Sequence, residues 1–286
     1  MVQNPYDLVK GDTQLSSLPL ILVQLNEVIN NPYSSIVDIG KIISEDQGLT
    51  ARLLRLANSP FYSYPSKVET ITQAITIIGT QQVLDLVLAT SVMQQFKGIP
   101  GAVITMESFW HHSIACGTTA RILAVYQREV NAERFFVAGI LHDIGRLIMC
   151  TKIPETAREM LTRCHNSGEL VHKVEKEVLG FDHADVGEVL LKEWKLPPSL
   201  VEMVASHHKP LRSKHFAAET SVVHVADIIA HALQLGSSGE PLVPPLDANA
   251  WERIEVAPGM LSSALDETER QFAVALQLMY HKEQKK

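Results

Sequence analysis

The segment Val137-Ala-Gly-Ile-Leu-His142-Asp143-Ile-Gly-Arg146-Leu-Ile148 sets an imidazole and a carboxylate side by side in the middle of an apolar run. A carboxylate removed from water is too costly to leave without a cation or a set of donors. Neighbouring residues on a helix point about 100° apart, so His142 and Asp143 can share an ion only if it lies over the groove between their faces. One helix cannot close such a site, so the chain must fold as several helices around this pair.

The rest of the sequence agrees. Strand signals are scarce and apolar residues recur at helical spacing almost throughout, which predicts an all-α fold, a helical bundle with an N-terminal lobe packed on a metal-binding lobe. With 286 residues, 46% of them hydrophobic, the chain can fill a core without disulfides. Thr70 is placed to cap a helix from Ile71 to Ile78 that Gly79 stops, and the segment from Glu133 to Cys150 reads as one continuous helix. Lys97-Gly-Ile-Pro-Gly101 is the clearest break. It divides an N-terminal lobe, 1–100, from a second lobe, 101–236, and a loop with a helical extension follows over 237–286.

Composition narrows the setting. Cys116, Cys150 and Cys164 are odd in number, have no CxxC spacing and read as small buried hydrophobes. The first dozen residues lack the basic-then-apolar order of a signal peptide, and no apolar run approaches the ~20 residues that span a bilayer. A cytoplasmic protein with no membrane partner is expected. Ile36 to Ala57, with Arg52 and Arg55 in its second half, has the outline of a helix-turn-helix. Apolar helix pairs around a glycine turn are common in all-α cores, however, and a net charge of −7 argues against nucleic acid as a partner.

Seven residues of the second half have the chemistry of a divalent-metal site: His112, His142, Asp143, His183, His207, His208 and Asp227. Imidazole and carboxylate without thiolate suit one or two ions, with Fe or Mn favoured and Zn or Ni also compatible. Arg146 follows Asp143 by three residues, so on a continuing helix it points the same way, either to hold a phosphate or to pair with Asp143 or another acid. His224 lies one turn before Asp227 and reads as support or packing. His165, His172, His215, His231 and His281 read as ordinary packed or solvated side chains.

The ordered segments Trp110-His-His112-Ser, Gly139-Ile-Leu-His142-Asp143, His183-Ala-Asp-Val-Gly187, Ser206-His207-His208 and Val225-Ala-Asp227 resemble the HD superfamily of metal-dependent phosphohydrolases. With Ile42 to Tyr62 and Ile71 to Thr80 added, the span from about Leu15 to Leu235 is similar to the HDOD domain, a bacterial signalling output domain related to HD. The resemblance implies His112, His142, Asp143 and Asp227 as the core ligands and Asp143 as a carboxylate bridging two ions. His183, His207 and His208 would be the extra imidazoles of two-metal relatives. It implies a signal-transduction module with a signalling protein as partner. The alternative is an active phosphodiesterase or nucleotidase, with Asp143 and Arg146 catalytic and a phosphoester or nucleotide as ligand. HD-GYP relatives carry lysine where this chain has Arg146, and no Gly-Tyr-Pro follows His208, so cyclic di-GMP hydrolysis is not carried over. Phe61 and Tyr64, in the loop before Pro65, are read either as lobe packing or as a partner-binding edge.

Overall fold

Gly79 stops one helix and lets the next leave at 118°, and the caps foreseen around it are in place. The computed structural model describes residues 4–10, 18–29, 31–60, 62, 66–96, 98 and 104–280. Phe61 and Tyr64, the proposed partner edge, lie outside the described residues. Every regular element among the described residues is helical. In chain order these are α1 (Pro5–Val9), α2 (Leu20–Ile29), α3 (Ile36–Glu45), α4 (Gln47–Ala57), α5 (Ile71–Ile78) and α6 (Thr80–Gln95). Next come α7 (Met106–Tyr126), α8 (Ala132–Leu141), α9 (Ile144–Lys152), α10 (Pro154–Ser167), α11 (Val171–Leu179) and α12 (His183–Glu193). The last are α13 (Pro198–Ser206), α14 (Ala217–Ala232), α15 (Ala248–Arg253) and α16 (Leu261–Met279). No single helix among them is long and apolar enough to cross a membrane.

The chain forms two compact units, 18–95 with 269–286, and 1–17 with 96–268. These differ from the continuous lobes expected from sequence, because α1 packs on α12 and α9 and so joins the larger unit. In the smaller unit, capping boxes at Ser35/Asp38 and Thr70/Gln73 start α3 and α5, and Asp46 caps α4 through Leu49 N at 2.9 Å. Such caps satisfy N–H groups that the first helical turn leaves without partners. The Asn58 carboxamide then pairs with both Val68 N, at 2.8 Å, and Val68 O, at 2.7 Å, tying the loop before α5 to the end of α4.

In the larger unit α7 is the central helix, buried continuously from His112 to Ala124 and packed on α8 and α14. A helix buried all round has no solvent face, which is why its apolar pattern shows no clear side. The buried Arg121–Glu133 pair, 3.2 Å apart, joins α7 to α8. All three cysteines are buried and free.

The expected helix from Glu133 to Cys150 is instead two helices, α8 and α9, broken at His142-Asp143. His142 is the C-terminal cap of α8, and Asp143, at φ −100° and ψ 10°, is the N-terminal cap of α9. The break removes the 100° divergence that a continuous helix would impose, so both side chains reach one cluster.

Candidate metal centre

The seven predicted residues come together inside the larger unit from five places: α7, the α8–α9 break, the start of α12, the end of α13 and the middle of α14. His112, His142, His183 and His207 are at most 1% exposed, Asp143 and Asp227 at most 4%. Only His208 is half-exposed.

Three imidazoles are aimed by the same device. His142 Nδ1 lies 2.7 Å from Gly139 O and His207 Nδ1 2.7 Å from Val204 O, each one turn back in its own helix. His183 Nδ1 lies 2.5 Å from Glu175 Oε2. An oxygen acceptor is met by N–H, so in each ring Nδ1 donates and Nε2 is left to face the cluster.

The Nε2 atoms divide between the two oxygens of Asp143. On one side His142 Nε2 is 3.3 Å and His112 Nε2 3.9 Å from Oδ2, and Asp227 Oδ1 lies 3.0 Å from His112 Nε2 and 3.5 Å from His142 Nε2. On the other side His183 Nε2 is 2.9 Å and His207 Nε2 3.8 Å from Oδ1, and His208 Nε2 is 2.9 Å from His183 Nε2. His112, His142 and His207 Nε2 and the Oδ1 atoms of Asp143 and Asp227 are buried without a properly directed hydrogen bond. Two donors on one ion at about 2.1 Å lie about 3.0–3.4 Å apart. The close pairs match that spacing, and the donor set fits a divalent cation of the Fe, Mn, Zn or Ni kind.

The electrostatics show how strongly the carboxylates require positive charge. Burial drives Asp143 upward, yet Arg146, His142 and His183 outweigh it and hold the carboxyl well below its usual range. Asp227 is held down in the same way, against burial, by His231, His112 and His142. Burial pushes His142 down, but Asp143 and other neighbours raise it well above its ordinary value. Burial and Arg146 push His183 down, and Glu175 and Asp143 overcome them to raise it to about 9. Burial together with His142 and His183 lowers His207 to about 3. Each half of the cluster therefore sets imidazole nitrogens beside a buried carboxylate that attracts positive charge, a demand that a divalent ion would meet.

Arg146 is 3% exposed and engaged by its own chain. Nη1 donates to Asp143 Oδ2 at 3.2 Å, Ser238 O at 3.0 Å and Ser238 Oγ at 2.6 Å, Nε lies 3.7 Å from Glu175 Oε1, and Nη2 packs on the His183 ring. Although the helix does not continue from His142, the first turn of α9 still brings Arg146 back over its cap residue.

Several neighbours escaped the sequence reading. His231 Nε2 stands 3.3 Å from Asp227 Oδ1, and its ring centroid is 4.3 Å from that of His112. The i, i+4 spacing of Asp227 and His231 was the available signal. His172 stacks on His208 with centroids 4.1 Å apart. Glu175, Ser238 and Cys116, the last grouped with His142 and Asp227, carry no sequence signal for this place. His224 supports the site without entering it: Nδ1 donates to His207 O at 2.8 Å and Nε2 accepts from Asp247 N at 3.1 Å. The stretch 236–240 folds back as a strap. Gly236, at φ +83°, lies so close to α7 that a Cβ would stand 2.4 Å from His112 N.

The HDOD domain model matches residues 15–210, more than half of the chain. This protein belongs to the HDOD family. The HDOD match includes His112, His142, Asp143, His183, His207 and His208 and ends before Asp227 and His231. The fold is that of an HDOD domain protein of unknown function from Geobacter sulfurreducens, with a TM-score of 0.78, 23% identity and 96% of each chain covered. A candidate phosphohydrolase from Shewanella amazonensis SB2B is also similar, with a TM-score of 0.72, 25% identity, 94% of this chain and 99% of that one. An uncharacterized protein of Treponema pallidum (strain Nichols) is 22% identical over 196 residues, which are 68% of this chain but 37% of that protein's length.

Proposed function

We propose that this HDOD protein is a signal-transduction module with a resident divalent metal, one or two ions, that acts through a signalling protein partner. The observation that carries this reading is the anchoring of three buried imidazoles through Nδ1, which leaves their Nε2 atoms facing the two oxygens of one carboxylate. His112, His142, Asp143 and Asp227 would hold one ion, and His183, His207, His208 and the second oxygen of Asp143 the other. Their burial, and the engagement of Arg146 by Asp143 and Ser238, favour a structural or regulatory metal over one that meets substrate. Three buried free thiols suit a reducing compartment, the cytoplasm.

The alternative is a phosphohydrolase with Asp143 and Arg146 catalytic, and the likeness to a candidate phosphohydrolase supports it together with the half-exposed edge at His208. A bound divalent metal would supply hydroxide by lowering the pKa of its water from about 15.7 towards 7. Metal analysis of tag-free protein, followed by a phosphodiesterase and nucleotidase screen of the loaded protein, separates the two. The proposal expects bound metal that His142→Ala and Asp143→Ala remove, with no turnover. Metal-free wild type overturns it, and metal-dependent turnover moves the assignment to the enzyme.

A further inference from the structure

A cleft of 730 Å³ lies in the larger unit, lined by residues of α11, α12 and α13 and by the segment 208–214. Its volume is in the range of small-molecule sites. His172 and His208 line it, so one wall is the outer edge of the metal centre.

The charges around this cleft are unequally committed. Asp182 and Asp185 flank Lys176 at 2.9 and 3.5 Å and accept each other's backbone N–H groups. Glu188 holds Lys192, and Glu202 accepts from Ser213 Oγ at 2.5 Å and His215 N at 3.1 Å. By contrast Lys209, Arg212 and Lys214 are exposed, and their side chains have no hydrogen-bond or ion-pair partner among the described residues. Their backbone is held in place, since Pro210 is buried and Ser213, 7% exposed, is tied to Glu202. Three open cations within six residues therefore line a concave site in a chain of net charge −7.

We infer that this cleft binds a phosphorylated small molecule of the nucleotide class, independently of the metal. Arg212 offers a planar fork suited to two phosphate oxygens, and Lys209 and Lys214 offer point charges. Leu196, Val201 and Ala205 provide apolar surface for the uncharged part of the ligand. A polyanion held only by surface charge would need no such concavity.

The test is calorimetric titration of the full chain with ADP and with inorganic pyrophosphate, in chelator-treated and metal-loaded states, with metal content measured in parallel. Saturable ADP binding in both states is expected, weakened about tenfold or more by Arg212→Ala with Lys214→Ala and unchanged by Arg158→Ala, which lies outside the cleft. Native melting of the double variant shows that any loss is local. Absence of ADP binding, or wild-type affinity in the double variant, overturns the inference. Pyrophosphate binding without ADP binding also overturns it, by leaving an anion site without nucleotide selectivity. ADP binding by a wild type that holds no metal supports the cleft and sinks the metal reading alone.

Discussion

The substitution Gly145→Ala tests how the second half of the candidate metal cluster is positioned. Gly145 sits in the first turn of α9, against the start of α12. A Cβ built there would stand 2.0 Å from His183 O, 2.8 Å from Gly187 N and 3.0 Å from His183 C. A carbon and a carbonyl oxygen settle no closer than about 3.3 Å, so the helices must part by about 1.3 Å, and no flexible side chain is available to yield instead. Overpacking of this kind costs about 1–3 kcal/mol. The better helix propensity of alanine returns about 1 kcal/mol, leaving a net loss of up to roughly 2 kcal/mol. For a unit of this size that lowers Tm by up to about 8 °C. The larger effect is on metal. His183 is the residue displaced, and its Nε2 is 2.9 Å from Asp143 Oδ1, so a shift beyond 1 Å removes it from the second ligand set while His112, His142 and Asp227 stay in place. Gly259→Ala is the control, because nothing lies within 4 Å of a Cβ there. Scanning calorimetry and elemental analysis read both effects. A Gly145→Ala protein with wild-type Tm and wild-type metal content would refute the claim that this helix crossing places His183.

Glu175→Gln weakens the acceptor that orients His183 Nδ1 and is expected to lower metal affinity by about 10–100-fold; equilibrium dialysis giving wild-type affinity would exclude that role. His231→Ala is expected to reduce metal retention in competition with a chelator while His165→Ala does not, and equal retention would remove His231 from the site. Arg146→Ala leaves Asp143 and Glu175 buried without their guanidinium and should cost about 3–5 kcal/mol, read by urea unfolding; a wild-type midpoint would contradict the engaged-arginine reading. Glu240 is raised by burial from 4.5 to about 7 in the folded state, so its contribution to stability is fully present below pH 4.5 and is lost as pH rises through 7. Glu240→Gln should therefore be more stable than wild type by about 3 kcal/mol above pH 7 and equal to it near pH 4, and a constant difference across pH would refute the assignment.

Which parts of this architecture were legible follows from how locally each is determined. Thr70 with Gln73, and Gly79 at the end of α5, act within one helical turn, and the sequence states them directly. The break at His142-Asp143 has no such mark. Val137 to Ile148 holds neither proline nor a turn dipeptide, and its apolar spacing runs straight through, so the pattern predicts one helix. What accompanies the end of α8 is the gathering of the five other cluster side chains, His112, His183, His207, His208 and Asp227, around the pair, and that is a tertiary fact. Tertiary override of a local pattern is expected where a functional arrangement is being satisfied.

The strap 236–240 is likewise determined by tertiary contacts. By composition Gly236-Ser-Ser-Gly-Glu240 is a solvated loop, yet Ser238 is fully buried, and its carbonyl and hydroxyl oxygens take the Arg146 guanidinium. Glu240 accepts Val171 N at 3.1 Å from the start of α11, the helix that supplies Glu175 and His172. The strap thus ties together the arginine beside Asp143 and the helix that orients His183. Any event that displaces it would release Arg146 from Ser238 and leave the guanidinium more dependent on Asp143 and Glu175. Asp143 and Glu175 would then be the remaining hydrogen-bond and ion-pair partners of its Nη1 and Nε.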